Sequence, residues 1–406
     1  MLRTFVLLVA LASSTFAADW PQWRGPTRDG LSNESGLLKE WPAEGPKRIW
    51  LYSNAGNGYS GPAIVGGKLF TLGTRDNKET LLSLDAATGA ELWASPASEV
   101  FQESHGAGPR GTPAVDGDRL YALTGLGTLV CAKVADGKIL WQKTMADLGG
   151  KAPGWGYTES PLVDGKQVVV TPGGSKGAMA ALDKMTGDVL WQSKDFTDGA
   201  QYSSIMPATI NGEPQYVQVT MQHIVGISPK DGALLWQQDF PGKTAVIPTP
   251  IVKDNQVYVA AGYNVGSVSV KIEPGNKVTP LYANKVMKNH HGGVILFQGD
   301  VYGYSDASGW TCQDFATGDA VWTEKSKLGK GAIAYADGHF YCLDEGTGTV
   351  ALIDASKDGW SEKSRFKLDP QSSIRSSSGR VWTHPVICNG RLYLRDQDLI
   401  YCYAVK

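Results

Sequence analysis

Only six histidines occur in 406 residues, and four of them, His105, His290, His291 and His384, fall in turn-rich segments that run into β-rich strands. The same kind of segment carries Trp155, Tyr157 and Glu159 within Gly154–Ser160, as well as Tyr59, Arg110, Tyr202 and Trp382. Imidazoles act as bases near neutral pH or as metal ligands, a carboxylate adds acid–base capacity, and flat aromatic faces suit a planar quinone or a sugar ring. His105, Arg110, Trp155, Tyr157, Tyr202, Asn289, His290, Trp382 and His384 are therefore the candidate ligand contacts. The His290-His291 pair beside Asn289 is the strongest of them. Consecutive side chains of an extended strand point to opposite sides, so one imidazole is expected to face the site unless the loop is irregular. The ordinary alternative is that polar residues here fill a channel and satisfy backbone groups together with water.

What positions these residues is a repeat. Gly89, Gly137, Gly187, Gly232 and Gly318 are each followed four residues later by a tryptophan, at 93, 141, 191, 236 and 322. Six residues before each glycine stands a small residue: Ser83, Cys131, Ala181, Gly226 and Cys312. A second turn recurs eight times, from Gly66-Gly67 to Asn389-Gly390, at a mean spacing of about 46 residues. Each lies between β-rich runs, which makes it a hairpin, and the period fits four short strands per unit. The chain ends after a third strand of the last unit. The missing outer strand is expected from Lys47–Tyr52, whose Trp50 matches the tryptophan of the other outer strands. Such pairing closes the ring and removes open edges. The expected fold is all-β, an eight-bladed β-propeller over 46–406, with degenerate units where Leu281 and Phe366 stand near the expected tryptophan. In a propeller the segments entering the innermost strands share one mouth of the central channel, so residues far apart in sequence converge there.

The pattern Ala181-Leu182-Asp183-x-x-Thr186-Gly187-x-x-x-Trp191, repeated with variation, resembles the tryptophan-docking repeat of pyrroloquinoline quinone (PQQ)-like propellers. That superfamily includes quinoprotein alcohol and sugar dehydrogenases and the BamB assembly lipoprotein. Trp20-Pro21-Gln22-Trp23-Arg24-Gly25-Pro26 and Asn289-His290-His291-Gly292-Gly293 are similar to a subgroup of secreted bacterial members. The resemblance implies PQQ with a divalent metal such as calcium, or no cofactor at all. Its enzymatic form implies hydride transfer from an alcohol to the quinone, with His291 or Glu159 as base. Glu159, Asn289 and Asp306 supply the metal-ligand types of those dehydrogenases, although their surrounding motifs do not match and the vicinal Cys-Cys pair is lacking. The other implied roles are non-catalytic: a BamB-like envelope scaffold with protein partners, or a module binding carbohydrate or polymer.

The remaining signals are exclusions. Gly106–Gly111 and Gly173–Gly177 imitate a dinucleotide fingerprint and a nucleophile elbow, but each needs a following helix that the strand pattern denies, and Gly242-Lys243-Thr244 imitates a P-loop end with Gln237 where its first glycine should stand. A net charge of −2 with 19 % charged residues excludes nucleic acid as a partner. Residues 1–17 read as a secretory signal peptide, followed by an N-terminal extension over 18–45, so a periplasmic or secreted monomer without a transmembrane segment is expected. The five cysteines show no metal or haem spacing; buried thiols are expected, with Cys342 and Cys388 the one pair worth testing as a disulfide.

Overall fold

The computed structural model describes residues 19–406, so the leader reading of residues 1–17 lies outside the described residues. Eight antiparallel sheets are arranged as blades. Counting strands A to D outward from the channel, blade 1 comprises Ala63–Val65, Lys68–Arg75, Lys78–Asp85 and Glu91–Glu99. The A strands of blades 2 to 8 are Ala114–Asp116, Leu162–Asp164, Met206–Ile210, Ile251–Lys253, Val294–Phe297, Gly331–Ala336 and Val386–Cys388. Blade 8 is completed by Arg48–Tyr52, which pairs antiparallel with Leu399–Ala404, closing the ring as expected. Among the described residues the only helical element is the short 3-10 turn Pro274–Asn276. The glycine motifs at 106–111 and 173–177 therefore lack the helix their chemistry requires.

The repeat is explained by packing between outer strands. Each small residue lies directly opposite the tryptophan of its own blade, Cys131 opposite Trp141 and Ala181 opposite Trp191, and a bulge follows the pair. The indole then crosses to the next blade: Trp93 Nε1 donates to Val134 O at 3.1 Å, Trp141 Nε1 to Lys184 O at 3.1 Å and Trp191 Nε1 to Pro229 O at 3.0 Å. At Gly187, φ is +80° and a Cβ would stand 2.8 Å from the Trp141 ring, so both the turn and the contact require glycine. Trp236 differs, because blade 5 has no equivalent turn to receive it. It folds back over Gly226 of its own blade and donates to Gln215 Oε1 at 2.6 Å. In blade 5 the tryptophan position belongs to Tyr282, opposite Ser269, while Leu281 is exposed. In blade 7 it belongs to Ser364, and Trp41 of the N-terminal extension packs there against Tyr341 and Phe366.

Residues 19–32 run through the channel itself. An innermost strand has no neighbour on its axial side, and this segment supplies partners for several of these edges. Ile64 N donates to Trp20 O and Val115 N to Pro21 O, both at 2.8 Å, and Tyr335 N donates to Gly30 O at 3.2 Å. Leu31–Ser32 adds a parallel pairing to blade 7. The Arg28 guanidinium, 1 % exposed, donates to Ser160 O and Pro161 O of blade 3, and Arg24 donates to Val294 O of blade 6. All five cysteines, Cys342 and Cys388 included, are buried thiols.

A candidate ligand site at one mouth of the channel

A cavity of about 370 Å³ opens where the D-to-A and B-to-C connections meet. Its walls include Tyr59, His105, Arg110, Trp155, Tyr202, His290, His291, Trp382 and His384, and its floor is made by Trp23 and Arg24 of the channel segment. Trp23 Nε1 donates to Thr249 Oγ1 at 3.0 Å, and its ring meets His384 edge-on at 4.7 Å.

Both imidazoles of the pair face the cavity. The loop before Val294 is not a strand, so alternation does not apply, and the two rings stack at 3.8 Å. Asn289 positions them, since its buried Nδ2 donates to Gly293 O and Tyr304 O, each at 3.0 Å. His291 packs against Trp382 at 4.9 Å and His290 against Tyr263 at 4.5 Å. Lys330 Nζ donates to His290 Nδ1 at 2.6 Å, which leaves the ring proton on Nε2, and pairs with Asp306 at 2.8 Å. Glu345 Oε2 lies 3.3 Å from His291 Nδ1, which makes no aligned hydrogen bond.

Burial sets the protonation states. It holds His291 and His384 down to about 3, so both imidazoles are neutral, and it pulls His290 down as well, assisted by His291 and Lys330. The same cause raises Glu345 to about 7, opposed by Lys330. On the opposite wall Glu103 pairs with Arg110 at 2.8 Å and with His105 at 2.9 Å, and the Arg110 guanidinium lies 5.6 Å from the Tyr59 ring centroid.

Four of the expected residues lie elsewhere. Tyr157 is packed in the core between blades 2 and 3, where its hydroxyl donates to Pro172 O. Glu159, 1 % exposed, accepts from Thr171 N at 2.6 Å and from Thr171 Oγ1 at 2.8 Å. Gln218 Nε2 also reaches it at 3.3 Å, so this carboxyl ties blade 3 to blade 4, and burial raises it to about 7. Asn289 stands behind the histidine loop, and Asp306 behind Lys330. Glu159, Asn289 and Asp306 share no hydrogen-bond partner. Among the described residues no three His, Cys, Asp or Glu side chains are grouped to hold a metal.

The sequence reading missed Trp23, Arg24, Glu103, Tyr263, Lys330, Glu345 and Arg380, all of which line the cavity. Lys330 could have been found, because it immediately precedes the innermost strand of blade 7, a position equivalent to the segments that were searched. Glu345 and Tyr263 sit on B-to-C connections, which open on the same mouth.

Eight closed blades around a lined channel mouth define a PQQ-like β-propeller. The chain belongs to the family described as outer membrane protein assembly factor BamB, whose profile matches residues 77–324. BamB from Moraxella catarrhalis is similar in structure, with a TM-score of 0.62 and 15 % identity over 89 % of this chain and 98 % of that one. Quinohemoprotein alcohol dehydrogenase from Comamonas testosteroni gives 0.66 and 13 % over 96 % and 80 %. The computationally designed Ika8 protein gives 0.59 and 14 % over 88 % and 98 %. At these identities the likeness is one of fold. No curated protein matches the chain. Among the described residues no helix is long and apolar enough to cross a membrane.

Proposed function

We propose that this protein is an exported propeller that binds a small planar or sugar-like ligand in the floored cavity at the D-to-A mouth. The observation that carries the reading is the convergence of Tyr59, Trp155, Tyr202 and Trp382 with neutral imidazoles around one blind space of about 370 Å³. A ligand site of that size combines apolar faces with a few fixed polar groups. Arg110 is already paired with Glu103 and Lys330 with Asp306, so the cavity favours a neutral, hydroxylated ring over a strongly charged one. Export rests on the leader-like residues 1–17.

The resemblance of the repeat to quinoprotein dehydrogenases implies PQQ and a divalent metal as candidate cofactors. The aromatic walls suit a planar ring, but the residues do not fit the metal: the three candidate ligands do not converge, and the Lys330 ammonium occupies the Asp306 carboxylate. No redox step is assigned on this ground. Of the two bases suggested by the sequence, His291 lines the cavity and Glu159 does not, so acid–base capacity at this mouth resides in His291 and Glu345. Family membership supports a second reading, a BamB-like scaffold for envelope proteins, which needs no cavity.

Titration of the purified protein with a panel of mono- and disaccharides, and with PQQ with and without calcium, separates the readings by tryptophan fluorescence. Saturable binding that weakens at least tenfold in Trp382→Ala, with the melting temperature preserved, is expected. If no compound binds, or if Trp382→Ala and His291→Ala change nothing while envelope proteins are recovered in pull-downs, the ligand reading fails and scaffolding stands.

A further inference from the structure

Arg24, in the floor of the cavity, is 7 % exposed and only partly satisfied. Its Nη2 donates to Asp29 O at 2.7 Å and to Val294 O at 2.5 Å. Nε and Nη1 find no acceptor among the described residues, so three of the five guanidinium N–H groups are unused. Burial lowers the group to about 10, which leaves it charged at neutral pH. The Asp29 carboxylate acts on it from beyond ion-pair distance and is itself held by Thr27 Oγ1 at 2.7 Å and Leu31 N at 2.9 Å. A charge buried in this way is costly until a counter-ion reaches it.

The unused Nη1 lies where the Trp20–Pro26 and Asn289–Gly293 motifs meet. Gly293 has φ +71°, and a Cβ there would stand 2.6 Å from Arg24 Nη1 and 2.9 Å from His384 Cε1, so glycine makes room for both. Arg24 and Thr249 also line a second cavity of about 370 Å³ at the opposite mouth. Gly293 and His384 line the first and not the second, so the Nη1 edge fronts the first. His384 Nε2 donates to His291 O at 2.9 Å, which leaves Nδ1 as an acceptor without a partner among the described residues. A charged donor and a neutral acceptor thus lie side by side beneath the aromatic walls. Of the other cations that line the cavity, Arg110 is paired with Glu103, Lys330 with Asp306, and Arg380 is exposed at the rim.

We propose that the ligand of the first cavity is a hexuronic acid, its carboxylate seated on Arg24 Nη1 and a neighbouring hydroxyl donating to His384 Nδ1. The inference rests on the ligand reading given above and names the substrate class of that same site. One carboxylate matches the one buried guanidinium without an acid, whereas the paired Arg110 and Lys330 leave nothing to balance a polyanion. The remainder of such a ligand is a neutral, hydroxylated ring of the kind the aromatic walls suit. An arginine–carboxylate contact out of water is among the stronger polar interactions, so it fixes which end of the ring enters first. Arg24 is then a specificity residue, and Gly293 is the gap through which it reaches the ligand.

The test titrates the full protein at pH 7 with D-glucuronate and D-galacturonate, each against its neutral amide, with D-glucose and benzoate alongside, followed by calorimetry. At least one uronate is expected to bind at least about tenfold more tightly than its amide, than glucose and than benzoate. In Arg24→Gln, which keeps a donor but no charge, acid and amide should bind alike, and Arg24→Lys should restore part of the preference. The comparison of acid with amide is made on the unaltered protein, so it holds even where an Arg24 variant fails to fold. Equal binding of acid and amide, equal binding of benzoate, or a preference lost in Arg380→Ala rather than in Arg24→Gln would overturn the assignment while leaving a ligand in the cavity. If neither acid, amide nor glucose binds, the ligand reading falls and the assignment falls with it.

Discussion

The Glu345 carboxyl offers the sharpest quantitative check on the electrostatics of the candidate site. Burial holds it at about 7, against an ordinary value of 4.5, despite the nearby Lys330 ammonium. Between these two values the folded chain keeps a proton that the unfolded chain releases, so stability falls as pH rises from 4.5 towards 7 and stays lowered above it. At roughly 1.4 kcal/mol for each pH unit separating the two values, the full penalty at pH 8 is about 3 kcal/mol. Glu345→Gln is nearly isosteric and neutral at every pH. It should match the parent at pH 4.5 and exceed it by about 1–3 kcal/mol at pH 8, measured by urea unfolding at both pH values. A variant equally destabilised at both would show that Glu345 is a structural hydrogen-bond partner rather than a strained acid. A carbon-13 titration placing the carboxyl near 4.5 in the folded protein would refute the argument directly.

The buried histidines act in the opposite sense. His291 and His384, held at about 3, must charge on unfolding below their ordinary value of 6.5, so their contribution is lost as the solution is acidified. Above pH 4.5 the raised carboxyls Glu345 and Glu159 offset them, and below it nothing among these four does. With His290, which burial also holds down, three histidines face two carboxyls, so the unfolding free energy from urea titrations should fall by about 1 kcal/mol per pH unit from pH 6.5 to 4.5 and by about 4 kcal/mol per pH unit below that; a profile that stays level below pH 4.5 would contradict this. Ring closure is tested by Trp50→Ala, which removes a buried indole packed on Gly89 and its hydrogen bond to Ala86 O at 3.1 Å. Loss of about 3–5 kcal/mol and a melting temperature lower by several degrees are expected, with a larger fall on deletion of Lys47–Tyr52; unchanged melting in either would refute the closure argument.

The blades were legible because their determinants are local and repeated. A positive-φ turn, a small residue and a tryptophan at constant spacing describe one packing event that recurs, and Lys47–Tyr52 completes it by its own tryptophan. The slip from Leu281 to Tyr282 shows where the pattern fails: a bulge moves the cross-strand partner by one residue, and spacing alone does not register it. The mouth was legible through its rare residues, His105, His290, His291, His384 and the tryptophans. Lys330 and Glu345 were not, because a single charged residue in a turn looks like any solvated one until distant strands bring it beside a histidine. Glu159 misled for the converse reason. A glutamate among aromatics in a mouth segment looks chemical, but this one turns away to receive the Thr171 backbone.

The channel segment, residues 19–32, lies outside the blade repeat and has wide consequences. It has no pattern of its own because its conformation is imposed by the edges it meets: Ile64, Val115 and Tyr335 belong to blades that become neighbours of the axis only once the ring exists. The same residues then perform three separate tasks. Trp23 and Arg24 turn an open channel into a blind cavity, Arg24 and Thr249 divide that cavity from the one on the opposite face, and the chain continues through Trp41 to the strand that closes blade 8. Because the floor of the candidate site and the closure of the ring lie on one continuous stretch, loosening either end should be felt at the other. A ligand that rests on Trp23 therefore stabilises the closed ring in proportion to its affinity, through binding that the opened ring cannot offer.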